Sequence, residues 1–348
     1  MTEKRTPQQA IDSANIPAEY FRPYAPAAGE GAADADAPAA PARDEWQRFA
    51  RNKGAVISLF ILIFIMLTSA ASIWYSPHDP NAQNIPHAFL PPKIPWVEIN
   101  GFNGLAREGD VWVDRYAEAP VADGVYYLLG TDNFGRDLLS RILFGTRISV
   151  LIACVAALLD LTVGVAYGLI SGWKGGATDT AMQRILEIVS GVPTLVVVIL
   201  ALLIFPPGAP AIIVAIALTS WISMARVVRA QTLKIKEQEF VLASRALGTS
   251  ALKIMLRHIL PNLSGIIIIQ TMFTIPTAIF FEAFLSFIGI GMRAPNASIG
   301  TLLNEGYKVF RFYPHLMWYP ALIICLLMIG FNLLADGLRD AFDPKMKI

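Results

Sequence analysis

Six long apolar runs divide the chain into segments of membrane-like and polar composition. Each run is close to the roughly 20 residues that a helix, rising about 1.5 Å per residue, needs to cross a hydrocarbon core of roughly 30 Å. The predicted spans are 54–75, 148–171, 185–205, 211–228, 263–289 and 319–336. The pattern therefore predicts an all-α polytopic membrane protein with six transmembrane helices, of which the fourth is short.

Composition supports the membrane class and disfavours several others. Hydrophobic residues occupy 55% of the 348 positions, which is too many for an ordinary soluble domain of this size. The net charge of +1 gives no indication of nucleic-acid binding. Cys154 and Cys325 lie inside apolar runs, and the histidines are scattered without metal-ligand spacing. We expect no disulfide framework, no metal site and no catalytic residues.

The polar segments outline the domain organisation. Residues 1–45 are rich in Ala, Pro, Gly and acids and predict a disordered tail, with no cleaved signal peptide before the first span. A helix and the first span follow at 46–75, a long polar segment at 76–147, and a core with five spans at 148–348. Alternating residues within 76–147 predict a small insert with strands at 111–113 and 125–127. The insert would contact either an extracytoplasmic partner or the outer face of its own chain.

The distribution of Lys and Arg predicts the orientation. With the N-terminus inside, the inner segments hold 19 basic residues in 115 positions and the outer segments hold 9 in 106. An excess of Lys and Arg marks the cytoplasmic side of a membrane protein. We therefore predict cytoplasmic N- and C-termini and an extracytoplasmic insert between the first two spans. Arg136, Arg141 and Arg147, at the outer end of the second span, argue mildly against this orientation.

Small residues and a proline inside the spans predict close packing and a kink. Gly164, Gly168 and Gly172 recur at intervals of four and form a face that lets another helix approach closely. Pro193 removes a hydrogen bond from the helical ladder, so it should kink the third span. Kinked helices can line a transport pathway.

Two acidic residues within the spans are candidates for the pathway or for packing. Asp160 falls near the bilayer midplane, where an ionised side chain costs at least ~2.5 kcal/mol, so it should face protein or water. It would either contact a substrate ammonium group or form an interhelical hydrogen bond, and the second role is favoured. Glu282 lies near the outer end of the fifth span, so its burial need not be deep.

The segment 239–262 is a polar, basic interruption between the fourth and fifth spans. Apolar residues at helical spacing predict a short helix up to Leu247, and Gly248 suits the left-handed position just past a helix end. Thr249 or Ser250 can then cap a second helix that stops at Pro261. A bent helix pair with small surface residues is shaped to be held in a groove of another protein. The alternative is a solvated loop between two spans.

The order of residues in this segment resembles the EAA loop of ABC importer permeases. Ala243 and Ser244 are followed after three residues by Gly248 and, after a spacer, by Leu260 and Pro261. In that family the loop is the coupling helix, which docks in a cleft of a cytoplasmic ATPase subunit. The resemblance implies a coupling loop at 231–262. The residues that it assigns to ATPase coupling are Glu239, Ala243, Ser244, Arg245, Ala246, Gly248, Leu260 and Pro261.

Two positions depart from the motif of the family. Leu242 stands at the position of the motif's glutamate, with an acid only three residues earlier at Glu239. His258 stands at the position of its isoleucine. Peptide-importer permeases commonly relax the motif in this way.

A second stretch resembles the peptide-importer subfamily more specifically. Residues 130–149 read GTDNFGRDLLSRILFGTRIS and resemble the entry signature of dipeptide and oligopeptide importer permeases. We predict a turn and then an amphipathic helix, with leucines facing apolar surroundings and Arg136, Asp137 and Arg141 facing polar ones. The resemblance covers about residues 50–348 and includes the C-terminal run FNLLADGLRDAFDP.

The resemblance implies a fold, a function and a set of partners. The implied fold is that of a type I ABC importer permease, which forms half of a translocation pathway for oligopeptides or dipeptides in the bacterial inner membrane. The implied partners are a related permease in a heterodimer, two cytoplasmic ATPase subunits and an extracytoplasmic substrate-binding receptor. The sequence contains no GxxxxGK[ST] phosphate loop, so ATP and Mg²⁺ should be bound by the ATPase subunits. We expect the chain itself to be no enzyme and to hold no cofactor.

Three alternatives stay open from the sequence. Nickel, glutathione or another small solute could replace the peptide, because permeases for these solutes share much of the signature. An ion-coupled secondary transporter would need paired intramembrane acids and an internal repeat of broken helices. An intramembrane enzyme would need a convergent catalytic pair within the spans. The sequence shows neither of the last two patterns.

Overall fold

The helices of the chain follow its apolar runs. The computed structural model describes residues 41–342 except 109, 123 and 294. Residues 1–40 of the predicted tail 1–45 and residues 343–348 lie outside the described part, and the last five residues of the predicted tail belong to a helix. The helices and strands, in chain order, are α1 (Pro41–Arg51), α2 (Lys53–Ala71), β1 (Leu105–Glu108), β2 (Val111–Asp114), α3 (Arg115–Glu118), α4 (Leu138–Lys174), α5 (Gly176–Ser190), α6 (Thr194–Ile204), α7 (Ala209–Ile235), α8 (Glu239–Ala246), α9 (Ala251–Ile254), α10 (Leu260–Phe287), α11 (Ile299–Val309) and α12 (His315–Phe342). A π-helical turn at Met255–Ile259 connects α9 to α10.

Up to six membrane crossings account for the long apolar helices. Five described stretches are long and apolar enough to cross a membrane: α2, α4, α7, α12 and the stretch Ala251–Phe287, which contains α9 and α10. The pair α5 and α6 meets the same criterion as a unit but is bent by 79° at its junction. The predicted all-α polytopic architecture is therefore confirmed.

The third span differs from the single kinked helix that was predicted. α5 ends at Ser190 and α6 begins at Thr194, and Pro193 is the N-cap of α6 rather than a residue inside one helix. Proline lacks a backbone N–H, and its ring disfavours the helical conformation of the preceding residue, Val192. The chain therefore changes direction where a kinked helix was expected.

Four spans are longer than predicted. α7 and α12 have 27 and 28 residues because the helices continue beyond their apolar runs, so the prediction of a short fourth span is wrong. α4 and α10 are longer because flanking segments join them. α4 has 37 residues, since the amphipathic helix predicted after residue 137 continues into the second span. The prediction that the second helix of the bent segment stops at Pro261 is wrong, because the π-helical turn carries it into α10. In this turn Leu260 N–H donates to the Met255 carbonyl, five residues earlier. The shifted ladder accommodates a proline in the first turn of α10, where its missing N–H is tolerated.

α4 packs against α7 along its row of glycines. A Cβ atom at Gly164 would lie 2.6 Å from Met224 Cβ, and one at Gly168 would lie 2.7 Å from Val228 Cβ. Gly172 continues the row against α7. Side chains at these positions would overlap α7, so the glycines set how closely the two helices approach.

Several helix ends of the chain meet at one end of the helical bundle. Asn52 Nδ2, at the start of α2, donates to Asp340 Oδ2 near the end of α12 at 3.2 Å. A Cβ atom at Gly265, near the start of α10, would lie 3.2 Å from the Phe342 ring. The bent segment 239–262 leads directly into α10, so it lies at the same end as the start of α2 and the end of α12.

The segment between α2 and α4 contains one antiparallel hairpin of β1 and β2. Ala106 pairs with Val113 in its register. The strand predicted at 111–113 is therefore present, whereas residues 125–127 form no strand. These residues instead supply a buried tyrosine.

Two buried tyrosines hold the rest of this segment in place. Tyr127 Oη lies 2.8 Å from His87 Nδ1, and Tyr116 Oη donates to the Pro91 carbonyl at 3.1 Å. Burial raises the pKa of both phenols above the ordinary value. Both therefore remain neutral hydrogen-bonding groups at physiological pH.

Candidate functional site

The bent segment has the helix, turn and helix that its sequence predicts. Gly248 follows α8 with φ of +77°, in the left-handed region. Gly248 N–H donates to the Arg245 carbonyl at 3.0 Å, and Thr249 N–H donates to the Ser244 carbonyl at 3.1 Å. This pair of bonds is the Schellman pattern of a helix C-terminus. α9 follows Ser250, which occupies the N-cap position without a side-chain capping bond.

Three apolar side chains anchor the bent segment to the spans. Val241, Ile254 and Ile259 are completely buried. They belong to a hydrophobic cluster that also contains side chains of α4, α7 and α10. Because buried side chains in a close-packed cluster transmit displacement, motion of the bent segment would move these three helices.

The opposite face of the bent segment exposes a row of leucines. Leu247 at the bend is 85% exposed, and Leu252 and Leu256 are 63% and 52% exposed. Ala243 and Ala246, on the preceding helix, are exposed as well. An exposed apolar patch of this kind is typical of a surface that contacts another protein.

Most residues assigned to coupling lie on this exposed surface. Glu239, Ala243, Arg245, Ala246, Gly248 and Pro261 are exposed, whereas Ser244 and Leu260 are half-buried. Ser244 Oγ donates back to the Phe240 carbonyl at 2.9 Å, and Leu260 packs against the buried cluster. Leu260 therefore faces the spans, whereas Ser244 is hydrogen-bonded within its own helix.

Sequence reasoning missed the polar contacts at the base of the bent segment. The Arg245 guanidinium lies 5.3 Å from the centroid of the Trp173 ring at the end of α4. Arg229 of α7 donates twice to Asp179 of α5, each time at 2.6 Å. Lys236 Nζ donates to a carbonyl at the end of α4 at 2.9 Å. The sequence shows charged residues near the ends of the spans, but its pattern does not indicate which of them contact each other.

Asp160 is buried between α4 and α10. Its side chain is fully buried, and Oδ2 accepts a hydrogen bond from Thr274 Oγ1 at 2.7 Å. Among the described residues, Oδ1 has no hydrogen-bond partner. The structure thus contains the interhelical hydrogen bond that the sequence favoured for this residue.

Glu282 is buried more deeply than expected. Its side chain has no exposed surface, and it accepts hydrogen bonds from Ser286 Oγ at 2.8 Å and Ser149 Oγ at 2.5 Å. Ser149 Oγ in turn accepts the Ile299 N–H at 3.3 Å. The expectation of shallow burial is wrong because α11 begins directly over this end of α10. Position along a span does not reveal what covers it.

Two arginines of the 130–149 signature form a buried ionic cluster. Arg136 and Arg141 are only 2% and 1% exposed, so the polar groups they face are protein carboxylates rather than solvent. Arg136 Nε lies 2.6 Å from Asp132 Oδ2, and Glu305 Oε2 of α11 lies 3.1 Å from a nitrogen of each arginine. Glu305 carried no signal in the sequence. This cluster ties the turn before α4 to α11.

The carboxylates of Asp160, Glu282 and Glu305 each accept at least one hydrogen bond from a hydroxyl or guanidinium group. Across the described ranges, no three His, Cys, Asp or Glu side chains are grouped so that they could hold a metal ion. The geometry is suited to packing, to contact with another protein and to lining a polar interior.

Comparison with known families matches two parts of the chain. Residues 164–348 match a family described as binding-protein-dependent transport system inner membrane component. Residues 40–92 match the N-terminal TM domain of oligopeptide transport permease C. Together the two matches include the first span and the bent segment.

Individual relatives align over most of the chain. The dipeptide transport system permease protein DppC of Lactococcus lactis is 43% identical over 314 residues, covering 87% of this chain and 90% of the relative. The oligopeptide transport system permease protein OppC of Bacillus subtilis is 40% identical over 333 residues, covering 96% and 99%. Among solved structures, the inward facing MetNI methionine ABC transporter aligns with a TM-score of 0.49 and 18% identity over 59% of this chain and 98% of that chain.

Proposed function

Because this chain belongs to the family of inner membrane components of binding-protein-dependent transport systems, we propose that it is a permease subunit of an ATP-driven importer of oligopeptides or dipeptides. The relatives named for these substrates align over 87% and 96% of the chain, and this similarity supports the substrate class. It favours peptides over nickel, glutathione or another small solute. Membership of this family also argues against the ion-coupled secondary transporter that the sequence left open.

In the proposed assembly, this multi-pass membrane protein forms half of the pathway and a related permease forms the other half. A receptor delivers the substrate outside, and two ATPase subunits bind inside, where they hold ATP and Mg²⁺. The bias of basic residues supports cytoplasmic N- and C-termini. The start of α2 and the end of α12 meet near the bent segment, so the bent segment would lie on the same side of the membrane as both of these helix ends.

The observation that carries the coupling role is the exposed leucine row around Gly248. This surface is apolar at its centre and small at Ala243 and Ala246, so it fits a groove, and its other side is anchored in the cluster of α4, α7 and α10. In the proposed mechanism, ATP binding draws the ATPases together and displaces the bent segment. The buried anchors Val241 and Ile254 pass this displacement to the spans. The pathway then alternates between inward and outward access.

A charge reversal on the bent segment tests the coupling role. Arg245 is exposed next to the leucine row, whereas Arg293 is exposed in the connection between α10 and α11. Arg245→Glu should lower capture of the ATPase subunits by the purified permease pair at least about tenfold, because a reversed charge within a contact opposes its partner. Arg293→Glu should retain the ATPases at the wild-type amount. Equal capture by the two variants contradicts the docking surface.

A further inference from the structure

A cavity between α6, α7 and α10 is lined by uncharged polar side chains. Its volume is about 260 Å³. Apolar side chains form part of its wall, and its polar lining residues include Thr219, Ser220, Ser223, Gln270, Thr274 and Thr277. None of the described side chains that line it is charged. The cavity is unusual for helices of this hydropathy, because polar groups inside a membrane are costly unless they have partners or a function.

The cavity contains hydrogen-bonding capacity that the chain itself does not use. Ser220 Oγ is buried, and it has no hydrogen-bond partner in the part of the chain that the structure describes. Thr274 Oγ1 lies 2.7 Å from Asp160 Oδ2 and 3.1 Å from the Gln270 carbonyl, so its one hydrogen faces two acceptors. Gln270 Nε2 reaches across to Ser223 Oγ at 3.2 Å. Buried polar groups in native proteins normally have partners. Ser220 Oγ has almost no accessible surface, so it would take a partner from a ligand in the cavity after rotation of its side chain.

The lining chemistry indicates the kind of ligand. A hydroxyl both donates and accepts, and so does the amide of Gln270, so these groups can pair with either an N–H or a carbonyl. Every residue of a peptide other than proline offers one of each along its main chain. Phe273 and Phe281 provide apolar contact beside the polar groups. Without charges, such a site does not distinguish acidic from basic side chains.

We propose that this cavity is a subsite that binds the main chain of the passing peptide, which rests on the proposed peptide import. Ser220, Gln270 and Thr277 bind the peptide amide groups directly. Asp160 accepts a hydrogen bond from the Thr274 hydroxyl behind the wall and does not itself line the cavity. The volume is slightly below that of pockets for whole small ligands, so the cavity holds a short stretch of the peptide.

Removal of single hydroxyls tests the main-chain contact. Ser220→Ala deletes an unpartnered oxygen, and Thr277→Val deletes a hydroxyl that bonds only its own helix, at the Phe273 carbonyl. We expect each variant, in proteoliposomes with the ATPases and the receptor, to import Ala-Ala-Ala, Ala-Lys-Ala and Ala-Glu-Ala about three- to tenfold more slowly, as for one lost hydrogen bond. The matched control is Thr162→Val, whose hydroxyl bonds the Leu158 carbonyl of α4 and which does not line the cavity. It should import all three peptides at the wild-type rate.

Added charges test whether the lining sets charge selection. Thr277→Asp should raise the ratio of Ala-Lys-Ala import to Ala-Glu-Ala import about fivefold, and Thr277→Lys should lower it about fivefold, as expected for one charge pair in a water-filled site. A residue with a purely structural role would slow both peptides equally. An unchanged ratio in both variants overturns the subsite.

The remaining outcomes separate the subsite from the proposed function. A wild-type complex that imports none of the three peptides overturns both proposals. Unchanged import by Ser220→Ala and Thr277→Val overturns the subsite alone, and so does a loss confined to one of the three peptides. The charged variants could fail to assemble with the other subunits. In that case the accessibility of the thiol in Thr277→Cys, in a Cys154→Ala/Cys325→Ala background, tests the subsite. Protection of its thiol by Ala-Ala-Ala supports the subsite, and permanent burial against the partner permease overturns it.

Discussion

Gly248 and Gly168 show two different reasons for glycine in this chain. At Gly248 no atom lies within 4 Å of the position of a Cβ, but φ is +77°, so the backbone conformation excludes other residues. At Gly168 a Cβ would lie 2.6 Å from the Ala225 carbonyl oxygen and 2.7 Å from Val228 Cβ, so space excludes them. The first glycine shapes the surface of the bent segment, and the second sets the distance between two spans.

We expect Gly248→Leu to reduce ATP-driven import while the protein still inserts in the membrane. A left-handed non-glycine residue costs about 1–2 kcal/mol, which distorts the Schellman turn and moves the leucine row. Gly248→Asn is the matched control, because asparagine tolerates the left-handed region better and should retain more import. Import by the complete assembly and abundance in membranes are the two measurements. Normal import by a well-inserted Gly248→Leu variant contradicts this account of the bend.

Thr274 supports the buried carboxyl of Asp160. We expect Thr274→Val to destabilise the protein by about 1–3 kcal/mol, because it leaves both Asp160 oxygens without a partner. The double variant Thr274→Val/Asp160→Leu should recover most of this loss, since replacing both polar partners removes the unpaired group. A denaturant titration of each variant in detergent measures the difference in the free energy of unfolding. The hydrogen bond does not stabilise the fold if both variants unfold at the wild-type midpoint.

At the scale of elements, α11 is held in place by polar contacts as well as by the apolar side chains that it buries. Glu305 accepts from Arg136 and Arg141, and Ser298, at the N-cap of α11, is completely buried near Glu282. These contacts join α11 to the turn before α4 and to α10. A buried ionic cluster stabilises a fold only when every member keeps its partner, so the loss of one member has a large effect.

We expect Glu305→Gln to cost about 3 kcal/mol, because two buried guanidinium groups then share Asp132 as their remaining carboxylate among the described contacts. The control is Glu118→Gln. Glu118 pairs with Arg115 at 3.1 Å on the surface, where the loss should stay below about 1 kcal/mol. The midpoints of thermal unfolding in the same detergent provide the comparison. Equal shifts for the two variants would show that burial adds nothing to this cluster.

At the scale of the whole molecule, the helix ends define two faces. One face carries the bent segment, the start of α2 and the end of α12, and the segment with the β1–β2 hairpin follows the opposite end of α2. The coupling role requires the first face to lie in the cytoplasm. The excess of basic residues on the inner segments supports this arrangement.

Thiol labelling tests the orientation in intact cells. In a Cys154→Ala/Cys325→Ala background, Asn100→Cys and Lys253→Cys place thiols at two exposed positions on the two faces. A membrane-impermeant maleimide should label the Asn100→Cys variant directly and the Lys253→Cys variant only after permeabilisation. The reverse pattern would place the bent segment outside and rule out its coupling to cytoplasmic ATPases.

The amino-acid sequence by itself determined the properties that depend on a few neighbouring residues. A bilayer requires about 20 consecutive apolar residues for a helical span whatever that span packs against, so the spans and the membrane class could be predicted. The bend at Gly248 follows from the freedom of glycine to adopt positive φ. The motifs at 130–149 and 239–262 likewise indicated the family without any knowledge of contacts, and the second motif lies inside the matched region 164–348.

Only the tertiary structure decided which surfaces meet. Glu305 joins Arg141 across 164 positions, and Ser149 joins Glu282 across 133. A periodic pattern predicts which face of a helix is apolar, but it does not name the residue opposite, so the depth of Glu282 and the burial of the arginines could not be predicted. The passage of the helix through Pro261 also depends on context, because the π-helical turn that permits it is held by packing against α4 and α7.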